Sequence, residues 1–144
     1  MIEQDTIKLL RECDAGVKMG VESIEDVMDF VTDERFLKLL KICRDEHNKL
    51  DRELQQLLDR YHDDGKEPNP IAKGMSEIKT NLKLAMDTDD KVIADLMTDG
   101  CNMGVKSLNK YLNKYKAADE VSKDIAKRLI NLEEKLAIDI RSFL

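Results

Sequence analysis

The sequence predicts an all-α protein, a four-helix bundle, and three observations carry that prediction. Of 144 residues only six are Gly and two Pro, Trp is absent, 38% are charged and 42% hydrophobic. This is a helix-forming composition with enough apolar residues for one core, which argues against disorder. Apolar residues recur at alternating steps of three and four through four long stretches, the period of an amphipathic helix. Turn chemistry is concentrated in one region, His62 to Pro70, where Asp-Gly and Asn-Pro occur together. The length is that of a single domain spanning residues 1–144.

Helix 1 is expected over about 4–31, on Ile7, Leu10, Val17, Val21, Ile24, Met28 and Val31. One rung of that ladder is polar, Asp14. Helix 2 is expected over about 33–62, on Phe36, Leu40, Cys43, Leu50, Leu54, Leu57 and Tyr61, and its one polar rung is His47. A connection follows over about 63–87, with a short amphipathic helix at Ile71–Met86. The Asp87–Asp90 run (DTDD) supplies short acceptors for the free amides of a first turn, so helix 3 is expected over about 88–115. Its stripe is Ile93, Leu96, Met97, Gly100, Gly104, Leu108, Tyr111 and Tyr115. Helix 4 is expected over about 118–143, on Ile125, Leu129, Leu132, Leu136, Ile140 and Phe143.

The links between helices 1 and 2 and between helices 3 and 4 are short, which makes antiparallel neighbours. The middle connection is long enough to run the whole length of a bundle of helices about 40 to 45 Å long. Helices 2 and 3 can therefore lie parallel, as two hairpins joined by a crossover. A short internal repeat agrees with this. Gly16-x-x-x-Gly20 in helix 1 and Gly100-x-x-x-Gly104 in helix 3 share the string MGV-x-S-(I/L), 84 residues apart. Helices 2 and 4 match at an offset of 86, a register that pairs His47 with Glu133.

The net charge is −6 with acidic and basic residues interspersed, which argues against a nucleic-acid or anionic-membrane partner. No stretch reaches the roughly 20 apolar residues of a membrane span, and the N-terminal residues carry no signal-peptide pattern. Three dispersed cysteines, Cys13, Cys43 and Cys101, read as reduced thiols, so the expected location is the cytoplasm. No Cys-x-x-Cys, phosphate loop or nucleophile–base pair occurs.

The paired hairpins, the long connection and the stretches GKEPNPIAKG, LAMDTDDKVIADL and GVKSLNKYL resemble the ferritin-like superfamily. The likeness is to its bacterial group of small bundle proteins of unknown function. It covers nearly the whole chain and includes the Gly65-x-x-Pro68 turn and Asp89-Asp90. The resemblance implies a ferritin-like fold and self-association, with a dimer as the expected state.

Di-iron proteins of this fold take a Glu from each of two helices and a Glu-x-x-His from each of the other two, because residues three apart share a helix face. That set is incomplete here. Arg44, not Glu, stands three before His47, Glu133 is flanked by Ile130 and Leu136, and glycines occupy the inward positions of helix 3. Asp14, His47 and Glu133 remain as candidate metal ligands. The expectation is that His47 instead hydrogen-bonds Glu133 or Asp14 in the core.

The favoured functional reading is a non-catalytic bundle without a cofactor, acting by self-association or partner binding. One alternative is a redox or storage protein that binds iron or another divalent metal through Asp14, His47 and Glu133, with Cys43 or Cys101 assisting. Another is a small-molecule or lipid binder that uses space left by Gly100 and Gly104. A mid-helix Gly costs about 1 kcal/mol against Ala, so either close helix approach or a pocket must offset these glycines.

Overall fold

A computed structural model describes residues 2–67 and 89–144. Among the described residues the chain is all-helical, with four long α-helices and no strand. They are α1 (Ile2–Met28), α2 (Glu34–Arg60), α3 (Asp90–Lys114) and α4 (Glu120–Asp139), and a 3-10 turn at Arg141–Phe143 follows α4. The short helix expected at Ile71–Met86 lies outside the described residues.

An aspartate caps the start of each of the last three helices. The Asp33 carboxylate accepts from the Arg35 amide, Asp89 from Val92 and Asp119 from Ser122. Each such cap is worth about 1 kcal/mol, because it satisfies an amide with no intrahelical partner. α1 stops at Met28, short of the expected Val31. The Phe30 and Val31 amides bond back three residues, to Val27 and Met28, so the chain tightens before it turns. α4 likewise ends at Asp139 and closes with the 3-10 turn.

The buried face of α1 is wider than a one-residue-per-turn ladder. Leu9, Cys13 and Val27 are fully buried, whereas Ile7, Val21 and Met28 are half-buried. The helix packs against more than one neighbour, so residues on both sides of the expected stripe are covered.

The apolar interior falls into two clusters. One contains Leu10, Val17, Leu50, Leu54, Leu108 and Leu129. The other contains Ile24, Leu40, Cys43, Met97, Cys101 and Leu136. Every helix contributes to both, and on each helix a particular residue lies between the two contributions: Gly20 on α1, His47 on α2, Gly104 on α3 and Glu133 on α4.

Polar contacts tie the ends. At one end the Ala117 amide donates to Asp5 at 3.0 Å, the Asp119 amide donates to the Thr6 hydroxyl at 2.8 Å, and the Tyr61 hydroxyl donates to Asp119. At the other end Asp90 accepts from the amides of Thr32 and Asp33 and from the Thr32 hydroxyl, at 2.8–3.1 Å. There Phe36 also stacks on Phe143 at 4.7 Å.

Candidate functional site

The layer between the two apolar clusters is polar because His47 and Glu133 meet there. His47 Nε2 lies 3.0 Å from Glu133 Oε1, and its Nδ1 lies 2.8 Å from the Cys43 carbonyl oxygen. A carbonyl only accepts, so Nδ1 carries a proton, and the charged imidazole also donates from Nε2 to Glu133. Both ring nitrogens of His47 then have partners without water. Desolvation alone would lower the His47 pKa. Its interactions with Cys43 and Glu133 outweigh that and hold it up at about 10. The Cys43 thiol sits beside the ring, with Sγ 3.5 Å from Nδ1.

Glycine makes room for this pair. A Cβ on Gly20 would stand 2.9 Å from His47 Nε2 and 3.4 Å from Glu133 Oε1. On the α3 side a Cβ on Gly104 would rest 3.6 Å from the Glu133 carboxylate, and one on Gly100 would meet nothing within 4 Å. The space beyond Gly100 is a cavity of about 140 Å³, between α1 and α3 and open on one side.

The internal repeat forms the two walls of this cavity. Gly16, Met19, Gly20, Ser23 and Ile24 line it from α1, and their counterparts at an offset of 84, Gly100, Met103, Gly104, Ser107 and Leu108, line it from α3. Only the shared valines, Val21 and Val105, are absent from the lining. Leu129, Glu133 and Leu136 of α4 form the floor. The Glu133 side chain is 13% exposed, so its carboxylate reaches the cavity from the polar layer.

Cys13 and Cys101 are buried. Desolvation pushes the Cys13 thiol up to about 12, with help from the charges of Glu12 and Asp14. The Cys101 thiol is also raised, by desolvation first and then by Glu133. Both are therefore protonated at neutral pH and are poor nucleophiles.

Asp14, the third candidate ligand, is elsewhere. It precedes Gly20 by six residues, about 9 Å along the helix and on another face. Its carboxylate is fully buried and accepts from Lys18 Nζ at 3.0 Å, Gln55 Nε2 at 2.7 Å and the Lys66 amide at 2.8 Å. Asp14 thus anchors the turn after α2 to α1. Gly65 belongs to this turn with φ +81°, and a Cβ there would overlap the Asp14 carboxylate. Arg11–Asp63 at 2.6 Å and Lys66–Glu12 at 2.7 Å hold the same turn. Among the described residues no three His, Cys, Asp or Glu side chains gather as a metal-binding group. Among the described residues, His47 uses both ring nitrogens on protein acceptors and Asp14 belongs to a separate network, so the three candidate ligands are not gathered at one point.

Of the two partners expected for His47, Glu133 and Asp14, the hydrogen bond is made with Glu133. Gly20, Met19, Ser23, Met103 and Ser107 were not recognised as site residues, although the repeat that singled them out was visible and Gly100 and Gly104 were read as leaving space. No protein-family model, curated protein or solved structure matches the chain.

Proposed function

We propose that this chain is a non-catalytic binding protein that holds a small molecule between α1 and α3, on a ferritin-like frame whose described residues gather no metal-binding group. The observation that carries this reading is the identity of the cavity walls. The residues shared by the internal repeat are the residues that leave and line the space. Gly100 adds to it, because it weakens α3 without a close neighbour to require it. The end contacts support the ferritin-like connectivity: the starts of α2 and α3 meet at Asp90, and the ends of α1 and α2 point opposite ways along the bundle. On this reading α2 and α3 are parallel, as the crossover connectivity requires.

The test is ligand-induced stabilisation. A cavity of this size suits an aromatic ring, since a dry cavity of about 150 Å³ holds benzene. Saturating toluene is expected to raise the melting temperature of the wild type. It should leave Gly100→Leu unmoved, because the leucine side chain grows into open space and occupies the cavity. No shift in the wild type with toluene or with its polar analogues of the same size would overturn the reading.

Exposed apolar residues favour a second role, self-association as a dimer. Ile42 on α2 is 43% exposed and Ile138 on α4 is 54% exposed, and Ile42 borders a groove between these helices with Leu39 and Leu132. Sedimentation of wild type against Ile42→Glu tests it, and an unchanged mass distribution would remove α2 from the interface.

A further inference from the structure

We infer that the ligand of the α1–α3 cavity is a small apolar molecule carrying one hydrogen-bond-donor head, an alcohol or a primary amine, that docks on Glu133. This rests on the cavity-binding reading above and specifies its chemistry. The walls are apolar for most of their extent, with Met19, Ile24, Met97, Leu129 and Leu136 among them. Such walls favour an apolar body.

The charged groups are one-sided. Among the described residues the charged side chains of the lining are Glu12 and Glu133, with no Lys or Arg. Glu12 already accepts from Lys66 Nζ at 2.7 Å. The Ser23 hydroxyl donates to the Met19 carbonyl at 2.7 Å. Glu133 engages His47 through Oε1, while its Oε2 stands toward Gly104, at 3.6 Å from where a Cβ would be. The Cys101 thiol also interacts with Glu133, and a carboxylate has about four lone-pair sites, so beyond these two partners the group retains acceptor capacity toward the space that glycine leaves open.

Both N–H groups of His47 are committed, to the Cys43 carbonyl and to Glu133. Neither is free to receive an anion. A fatty acid or another carboxylate would have to bring its charge against Glu133 in a poorly solvated site. An alcohol or ammonium head instead places a donor on an acceptor already held in position by the imidazole. Hydrogen bonds to charged groups are the stronger kind, which orients the ligand with its head at the polar layer and its body toward the half-exposed Met103.

The experiment uses four probes of similar size: toluene, benzyl alcohol, benzylamine and benzoate. Binding to the full chain is read from the methyl NMR signals of Met19, Met97 and Met103. Benzyl alcohol and benzylamine are expected to bind about tenfold more tightly than toluene, the effect of one hydrogen bond to a charged acceptor. Benzoate is expected to bind more weakly than toluene. In Glu133→Gln, benzylamine should fall to within about threefold of toluene, and Gly100→Leu should lose all four probes while retaining the helical fold.

If toluene binds as tightly as benzyl alcohol or benzylamine, or benzoate matches them, the donor-head inference fails and the cavity reading stands. If none of the four binds the wild type, or Gly100→Leu binds them equally well, the cavity reading fails and this inference with it.

Discussion

With Nδ1 committed to the Cys43 carbonyl, His47 changes charge only at Nε2, where Glu133 favours the proton. The folded pKa of about 10 lies above the ordinary 6.5. The pair's contribution is therefore complete below pH 6.5 and is lost as pH rises toward 10. His47→Gln should cost about 3 kcal/mol at pH 6.5, as expected when one partner of a buried pair is removed. The difference from wild type should shrink by pH 10 in urea unfolding, because the wild-type pair has then lost its proton. The raised thiols of Cys13 and Cys101 also lower stability above pH 9, but equally in both proteins, so a gap that stays constant with pH would contradict the ion-pair assignment. Asp14 shows where residue-level reading ran out. A polar rung in an apolar ladder looks the same whether it faces a metal, a histidine or a returning turn, and its partners Lys66 and Gln55 are 52 and 41 residues away. Asp14→Ala removes the acceptor from three donors at a fully buried site and should cost about 3 kcal/mol. Toluene binding by the folded fraction should be unchanged, since Asp14 does not line the cavity. Chemical denaturation and the toluene titration check the two halves of that statement.

At the level of the helix, Gly16-x-x-x-Gly20 and Gly100-x-x-x-Gly104 are indistinguishable in sequence and opposite in role. The glycines of α1 accommodate neighbours: a Cβ on Gly16 would stand 3.3 Å from Leu129 Cδ2, and one on Gly20 would press on His47. The glycines of α3 leave space. The two explanations weighed from the sequence, close helix approach and a pocket, thus divide between the helices. Sequence periodicity fixes which face of a helix turns inward but not what stands opposite, so only the packed structure separates them. Alanine at either place gains the same propensity, roughly 0.5–1 kcal/mol. Gly100→Ala should therefore stabilise the protein by about that amount, because its methyl meets nothing. Gly20→Ala should destabilise it by about 1–3 kcal/mol, as overpacking at the His47–Glu133 contact outweighs the gain. Calorimetric melting temperatures that move in the same direction for both variants would refute the division.

For the whole molecule, the four long helices of the described residues were readable because a 3.6-residue period over twenty residues or more leaves little ambiguity, whereas the ends of α1 and α4 were not. The order in which the helices are joined rests on longer reasoning. Glu67 pairs with Lys18 of α1 at 3.0 Å, while Asp89 adjoins Asp90, which is bonded to Thr32 and Asp33 at the far end of α1. From the level of Lys18 to that of Thr32 is fourteen residues, roughly 20 Å along the helix direction. On the proposed crossover, whatever joins 67 to 89 must span that distance. A two-residue linker in place of residues 68–88 reaches at most about 11 Å, so it cannot close the chain on itself. Such a variant is expected to unfold or to exchange its second half with another copy. A twelve-residue Gly-Ser linker, with a fully extended reach of about 40 Å, should restore the single-chain fold at a small entropic cost. Circular dichroism melting with light scattering distinguishes these outcomes. A two-residue variant that matches the wild type in both mass and melting temperature would mean that the two halves are joined at one end of the bundle rather than across its length.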